Sequence, residues 1–96
     1  MWESLNLKFS KYPARMAVAQ KMFELGLRIS EDGKIYCGDL KISDSALATA
    51  ANVDRRVIKS TVDVIIADEG LYEIFSNIIP AGTLIKNIAK SLNLGV

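Results

Sequence analysis

The chain has 96 residues, half of them hydrophobic, with 12 Lys or Arg against 11 Asp or Glu, one cysteine and no histidine. This length and apolar content suit one domain over 1–96 with a modest core. A single cysteine excludes an internal disulfide, and without histidine the usual zinc sets and Cys-His nucleophile pairs are unavailable. A net charge of +1 gives no bulk attraction to nucleic acid, so any phosphate-binding face must be local.

The amino terminus, MWESLNLKFSKY, is broken by polar residues too often for a signal sequence, and no apolar run approaches the ~20 residues that cross a bilayer. A cytoplasmic protein with no membrane contact is expected. Trp2, Leu5, Phe9 and Tyr12 recur at intervals of three and four, predicting an amphipathic helix over 2–11 whose aromatic stripe faces the core or a dimer surface. Pro13 suits the first turn of a new helix that continues over 14–25, with Val18, Met22 and Leu25 on one face and Gly26 as C-cap. From Leu27 the period changes. Short strands are predicted at 28–29, 34–37 and 40–42, with turns at Glu31-Asp32-Gly33 and Gly38-Asp39. Cys37 falls in the middle strand as a small, half-buried thiol. This β-element reads as packing support, and Lys34 and Lys41 are not expected to reach a DNA groove.

Residues 43–66 read as a helix-turn-helix. A short alanine-rich helix over 44–51 offers Ala48 and Ala51 to a close helix crossing. Asn52 sits where the chain must turn, and Asn tolerates the left-handed conformation better than other non-glycine residues. Val53 plugs the turn, and Asp54 is placed to cap the helix that begins at Arg55. At about 100° per residue, Val57, Ile58, Thr61, Val62, Val64 and Ile65 fall on one side, with Arg55, Arg56, Lys59, Ser60 and Asp63 on the other. The three cations occupy the first turn and a half, the part of a recognition helix that meets base edges and phosphates in the major groove. Arg-Arg-x-x-Lys alone is an ordinary surface pattern; the preceding helix, the turn and the apolar stripe give it weight.

A break follows at 67–70, then a helix over 71–77 with Leu71, Ile74, Phe75 and Ile78 for packing. Pro80 to Gly82 interrupts it. A last helix is predicted over 83–92, with Leu84, Ile85, Ile88, Ala89 and Leu92 forming a wide apolar face for the domain or a partner. The expected fold is mainly α (α+β): a helix-turn-helix, DNA-binding-like helical domain with a small β-element between the second helix and the helix-turn-helix pair.

The expected function is DNA binding by the helix beginning at Arg55. Arg55, Arg56 and Lys59 would touch bases or phosphates, Ser60 would add a hydrogen bond, and Lys11 and Arg15 would be flanking phosphate contacts. The alternative is a protein-protein interaction or dimerisation module without direct DNA binding, which near-neutral charge favours. An enzyme is not expected: the acidic residues are scattered, and neither histidine nor a glycine-rich phosphate loop is present to assemble a site. No cofactor or metal is called for.

Several blocks in a fixed order also resemble a known family. They are Met1-Trp2-Glu3, Lys11-Tyr12-Pro13-Ala14, Gly33-Lys34-Ile35-Tyr36-Cys37-Gly38-Asp39, Val53-Asp54-Arg55-Arg56-Val57, Pro80-Ala81-Gly82 and Gly95-Val96. In these the chain resembles archaeal proteins predicted to regulate amino-acid metabolism, in which an amino-terminal helix-turn-helix region precedes a carboxy-terminal ACT domain. The resemblance implies a DNA-binding transcriptional regulator of amino-acid metabolism whose ACT domain senses a small ligand, an amino acid, and helps form dimers; a homodimer on duplex DNA is expected, with a small-molecule effector acting only through the ACT domain. This sequence stops where that domain would begin, as expected either for the amino-terminal part of a longer regulator or for a protein lacking the sensor, and no ligand-sensing residue is carried over.

Overall fold

The structure, a computed structural model, describes residues 2–82, with the backbone alone at Trp2 and Ser4. It is mainly α with a small antiparallel sheet. The elements in order are α1 (Trp2–Phe9), α2 (Pro13–Leu25), β1 (Leu27–Ile29), β2 (Ile35–Cys37), β3 (Leu40–Ile42), α3 (Asp44–Ala51), α4 (Arg55–Ala67) and α5 (Glu69–Ser76). The helix expected over 83–92 lies outside the described residues.

Local chemistry sets most of the helix boundaries. Pro13 opens α2, and Gly26 closes it in the left-handed region at φ 72°. The Ser43 hydroxyl accepts the Ala46 backbone N–H at 3.1 Å and starts α3. The Asp68 carboxylate accepts the Leu71 N–H at 3.0 Å and starts α5, so the break after α4 is one residue long, with Glu69 and Gly70 already helical. Each cap satisfies a backbone donor that the first turn would leave unpaired.

The core is built around α4, which packs on α2, α3 and α5. Its Ile58, Thr61, Val62 and Ile65 are buried with Leu5 and Phe9 of α1, Val18, Ala19 and Met22 of α2, Leu47 and Ala48 of α3, and Leu71 and Phe75 of α5. Thr61 tolerates burial because its hydroxyl donates to the Val57 carbonyl at 2.7 Å. Two expectations need correction. Tyr12 is not part of the α1 stripe: the helix ends at Phe9, and Tyr12 is about half exposed with the Arg15 guanidinium 4.2 Å from its ring centroid. Leu25 is likewise about half exposed, and Ala19 takes the place on the buried face of α2 that was assigned to it.

The sheet is a meander in the order β1-β2-β3. Leu27 pairs with Cys37 and Cys37 with Leu40; Ile29 pairs with Ile35 and Ile35 with Ile42. Strand alternation therefore puts these six on one face and Arg28, Tyr36 and Lys41, also in register, on the other. Burial fades across the apolar face, from Leu27 and Ile29 in the core to an exposed Leu40 at the β3 edge. β1 is held by α2 and α5, and the β1–β2 turn reaches α4, since a Cβ on Gly33 would meet Ile66 Cδ1 at 3.6 Å and Val62 Cγ1 at 3.9 Å.

Candidate nucleic-acid interface

α3 and α4 are joined by Asn52-Val53-Asp54. Asn52 adopts φ 57°, ψ 49°, the left-handed conformation that lets the chain reverse between the helices, and its N–H closes α3 on the Ala48 and Thr49 carbonyls. Val53 packs, half buried, against the core and pins the turn. Asp54 Oδ1 then accepts the Arg56 N–H at 2.8 Å, giving α4 a fixed start.

From that start Arg55, Arg56 and Lys59 all project outward and exposed, within an arc of about 100° at the helical repeat. Two of the three are engaged. Arg56 Nε and Nη2 donate to Asp54 Oδ1 and Oδ2 at 3.1 and 3.4 Å. This side-chain pairing, more than the cap hydrogen bond, lowers the Asp54 carboxyl below its ordinary value, and it raises Arg56. Lys59 lies 3.7 Å from Asp63 one turn on. Exposed pairs of this kind contribute little and open readily, so they reduce the availability of the cations without abolishing it. Among the described residues Arg55 forms no ion pair.

The other predicted contacts are dispersed. The Ser60 hydroxyl is turned onto its own helix, donating toward the Val57 and Arg56 carbonyls at 3.0 and 3.4 Å, so it has no free proton for a base. Arg15 is half buried over Tyr12, and Lys11 stands exposed at the corner between α1 and α2. The Lys8–Asp68 pair, 3.5 Å, ties α1 to the end of α4 opposite Arg55, and no described hydrogen bond or ion pair gathers Lys11 or Arg15 with the three α4 cations.

Two adjoining depressions, which share Lys34 and Asp44, run along one side of α4 and differ in charge. Beside Lys59, a depression between α4 and the β1–β2 turn is lined by Glu31, Asp32, Asp44 and Asp63 against Lys34 and Lys59, an acidic balance. Asp32 is held below the ordinary carboxylate range first by the Ser30 hydroxyl and then by the Lys34 backbone N–H, so it stays charged. Beside Arg55 the balance reverses. A shallow, open depression of about 310 Å³ is lined by Lys34, Lys41 and Arg55, with Asp44 its one carboxylate and Ile35, Ile42, Ser43 and Ser45 completing it. Sequence reasoning set Lys34 and Lys41 aside. The alternation of β2 and β3, which places Lys34, Tyr36 and Lys41 on the polar face, was the signal available.

Among the described residues no group of three or more Cys, Asp or Glu is placed to hold a metal ion, and no helix is long and apolar enough to cross a membrane. The chain matches no protein-family model, no curated protein and no solved structure with which it was compared.

Proposed function

We propose that α3 and α4 form a helix-turn-helix and that the chain binds duplex DNA with α4 in the major groove, as the DNA-reading part of a transcriptional regulator. The observation that carries this is the capped start of α4, directly after a left-handed turn, from which Arg55, Arg56 and Lys59 project exposed within two turns of helix. The helix length fits: 13 residues span about 20 Å, enough to lie along a groove that admits a helix. The resemblance to archaeal regulators supports amino-acid metabolism as the regulated process, and a homodimer is the proposed binding form.

The test is duplex binding across salt concentrations, wild type against Arg55→Ala/Arg56→Ala. If each protomer neutralises about three phosphates, the dimer's log affinity falls against log salt with a slope of about −5, at roughly 0.9 per contact. The double substitution should flatten that slope with the fold intact, since both side chains are exposed. Binding indifferent to salt, or to the loss of both arginines, refutes the proposal.

A second function, self-association without DNA binding, is favoured by the apolar side chains left in solvent, Leu7 at 86% and Leu40 at 67% exposure. Sedimentation of Leu40→Ser beside Ile88→Asp, with duplex binding measured on the same samples, separates the two.

A further inference from the structure

The cations that sequence reasoning singled out are not the ones the fold leaves most available. Lys8, Lys21, Arg56 and Lys59 form ion pairs, while Arg15 and Arg28 lie over Tyr12 and Tyr36. Among the described residues Lys11, Lys34, Lys41 and Arg55 have neither an ion pair nor a ring contact. Asp32 and Asp54 feel the fields of Lys34 and Arg55 without bridging to them. Three of these four available cations line one depression, although they come from β3, the residue before β2 and the first turn of α4. Asp44 is the one carboxylate set among the three, so the depression carries an excess of positive charge that favours an anionic occupant.

The shape indicates which anion. A small ligand needs a concave site that takes most of its surface from water, and this depression is shallow and open. Its cations extend onto the outer face of the sheet, where Lys41 stands in register with Tyr36 and Tyr36 with Arg28. At its Arg28 end this face is bordered by Glu31 and Asp32, so its positive charge is concentrated around Lys34, Lys41 and Arg55, an open surface that suits the phosphates of a polyanion.

We propose that the outer face of the β-sheet is a second contact for the duplex gripped by α4, with Lys34 and Lys41 neutralising backbone phosphates beside the groove and Arg55 joining the two surfaces. The sheet then acts as a wing placed before the recognition helix in the chain, a role that presupposes α4 in the groove. The docking of the Gly33 turn on Val62 and Ile66 fixes the wing against that helix.

The test compares duplex binding by the full chain, Lys34→Gln/Lys41→Gln, Lys34→Arg/Lys41→Arg, and Lys8→Gln/Lys21→Gln as a charge-matched control on α1 and α2. Two lost phosphate contacts reduce the salt slope by about 1.8 per chain bound, so from about 50 to 200 mM salt wild-type affinity falls about 12-fold more than that of the glutamine variant. The arginine variant should keep the wild-type slope, as should the control. Wild-type binding with an unchanged slope in Lys34→Gln/Lys41→Gln, or an equal loss in the control, overturns the wing and leaves α4 binding standing. A wild type that does not bind duplex overturns both.

Discussion

Asp54→Asn separates the two roles of one carboxylate. In the fold Asp54 caps α4 through the Arg56 N–H at 2.8 Å and holds the Arg56 guanidinium with both oxygens at 3.1 and 3.4 Å. Asparagine caps a helix about as well as aspartate, so α4 should begin at the same residue. The melting temperature should fall only slightly, through loss of a negative charge from the positive end of the helix. If the proposed function holds, the effect on DNA binding should have the opposite sign, since a carboxylate leaves the surface proposed to face phosphate and Arg56 is released. If Arg56 then neutralises one further phosphate, the salt slope steepens by about 0.9 per chain. Between about 50 and 200 mM salt the variant's affinity would then fall about 3.5-fold more than the wild type's, from a higher low-salt value. Fluorescence anisotropy of a labelled duplex gives both quantities, and a thermal melt checks the fold. Unchanged slope and affinity at an unchanged melting temperature would show that Arg56 does not meet DNA, and would confine the contact to Arg55 and its neighbours.

Asn52→Gly should be close to neutral while Asn52→Ala costs roughly 1–2 kcal/mol, because only glycine occupies φ 57° as freely as asparagine; urea denaturation reads the difference. Gly26→Ala should cost more than Asn52→Ala in the same assay, since the added Cβ meets Pro80 Cα at 2.7 Å and the Ile79 carbonyl oxygen at 3.1 Å, backbone atoms that cannot swing aside. Ile65→Ala, which empties a fully buried site on α4, should cost about 2–5 kcal/mol. Stability should also depend on acid in a defined direction. Asp32, Asp54 and Asp68 are all held below the ordinary carboxylate value, chiefly by the Ser30 hydroxyl, the Arg56 side chain and the Leu71 N–H respectively. Their contribution is complete above the unfolded value near ~4 and is lost as pH falls through the lower folded values. Thermal melts should therefore hold steady down to about pH 5 and decline below about pH 4.

What could be read from the sequence was what neighbours in the chain decide. Pro13, Gly26, Asn52 and Asp54 act within four residues of themselves, and those helix starts, stops and the turn follow from them. Ser43 and Asp68 cap just as locally, yet neither is among the predicted caps, and Asp68 falls in the predicted break at 67–70. The buried stripe of α4 was legible for the same reason, because a 3.6-residue period needs no partner to be seen. Tyr12 was misplaced by extending that period past Phe9, where two turn residues and then Pro13 end one helix and start another. The candidate site was harder to read because availability is a property of pairs. Whole-chain charge counts Arg56 and Lys34 alike, yet the first lies against Asp54 while the second opens onto the depression beside Arg55. Bringing Lys34 and Lys41 to Arg55 takes the register of three short strands, the docking of the Gly33 turn on α4 and the left-handed step at Asn52 acting together. Gly33 adjoins Lys34, but its partners Val62 and Ile66, and the step at Asn52, lie far from the lysines in the chain. For this chain, then, the near-zero net charge describes the whole and not one face: the four ion pairs remove as many carboxylates as cations, and of the cations left over Lys34, Lys41 and Arg55 meet at one depression whose single carboxylate is Asp44.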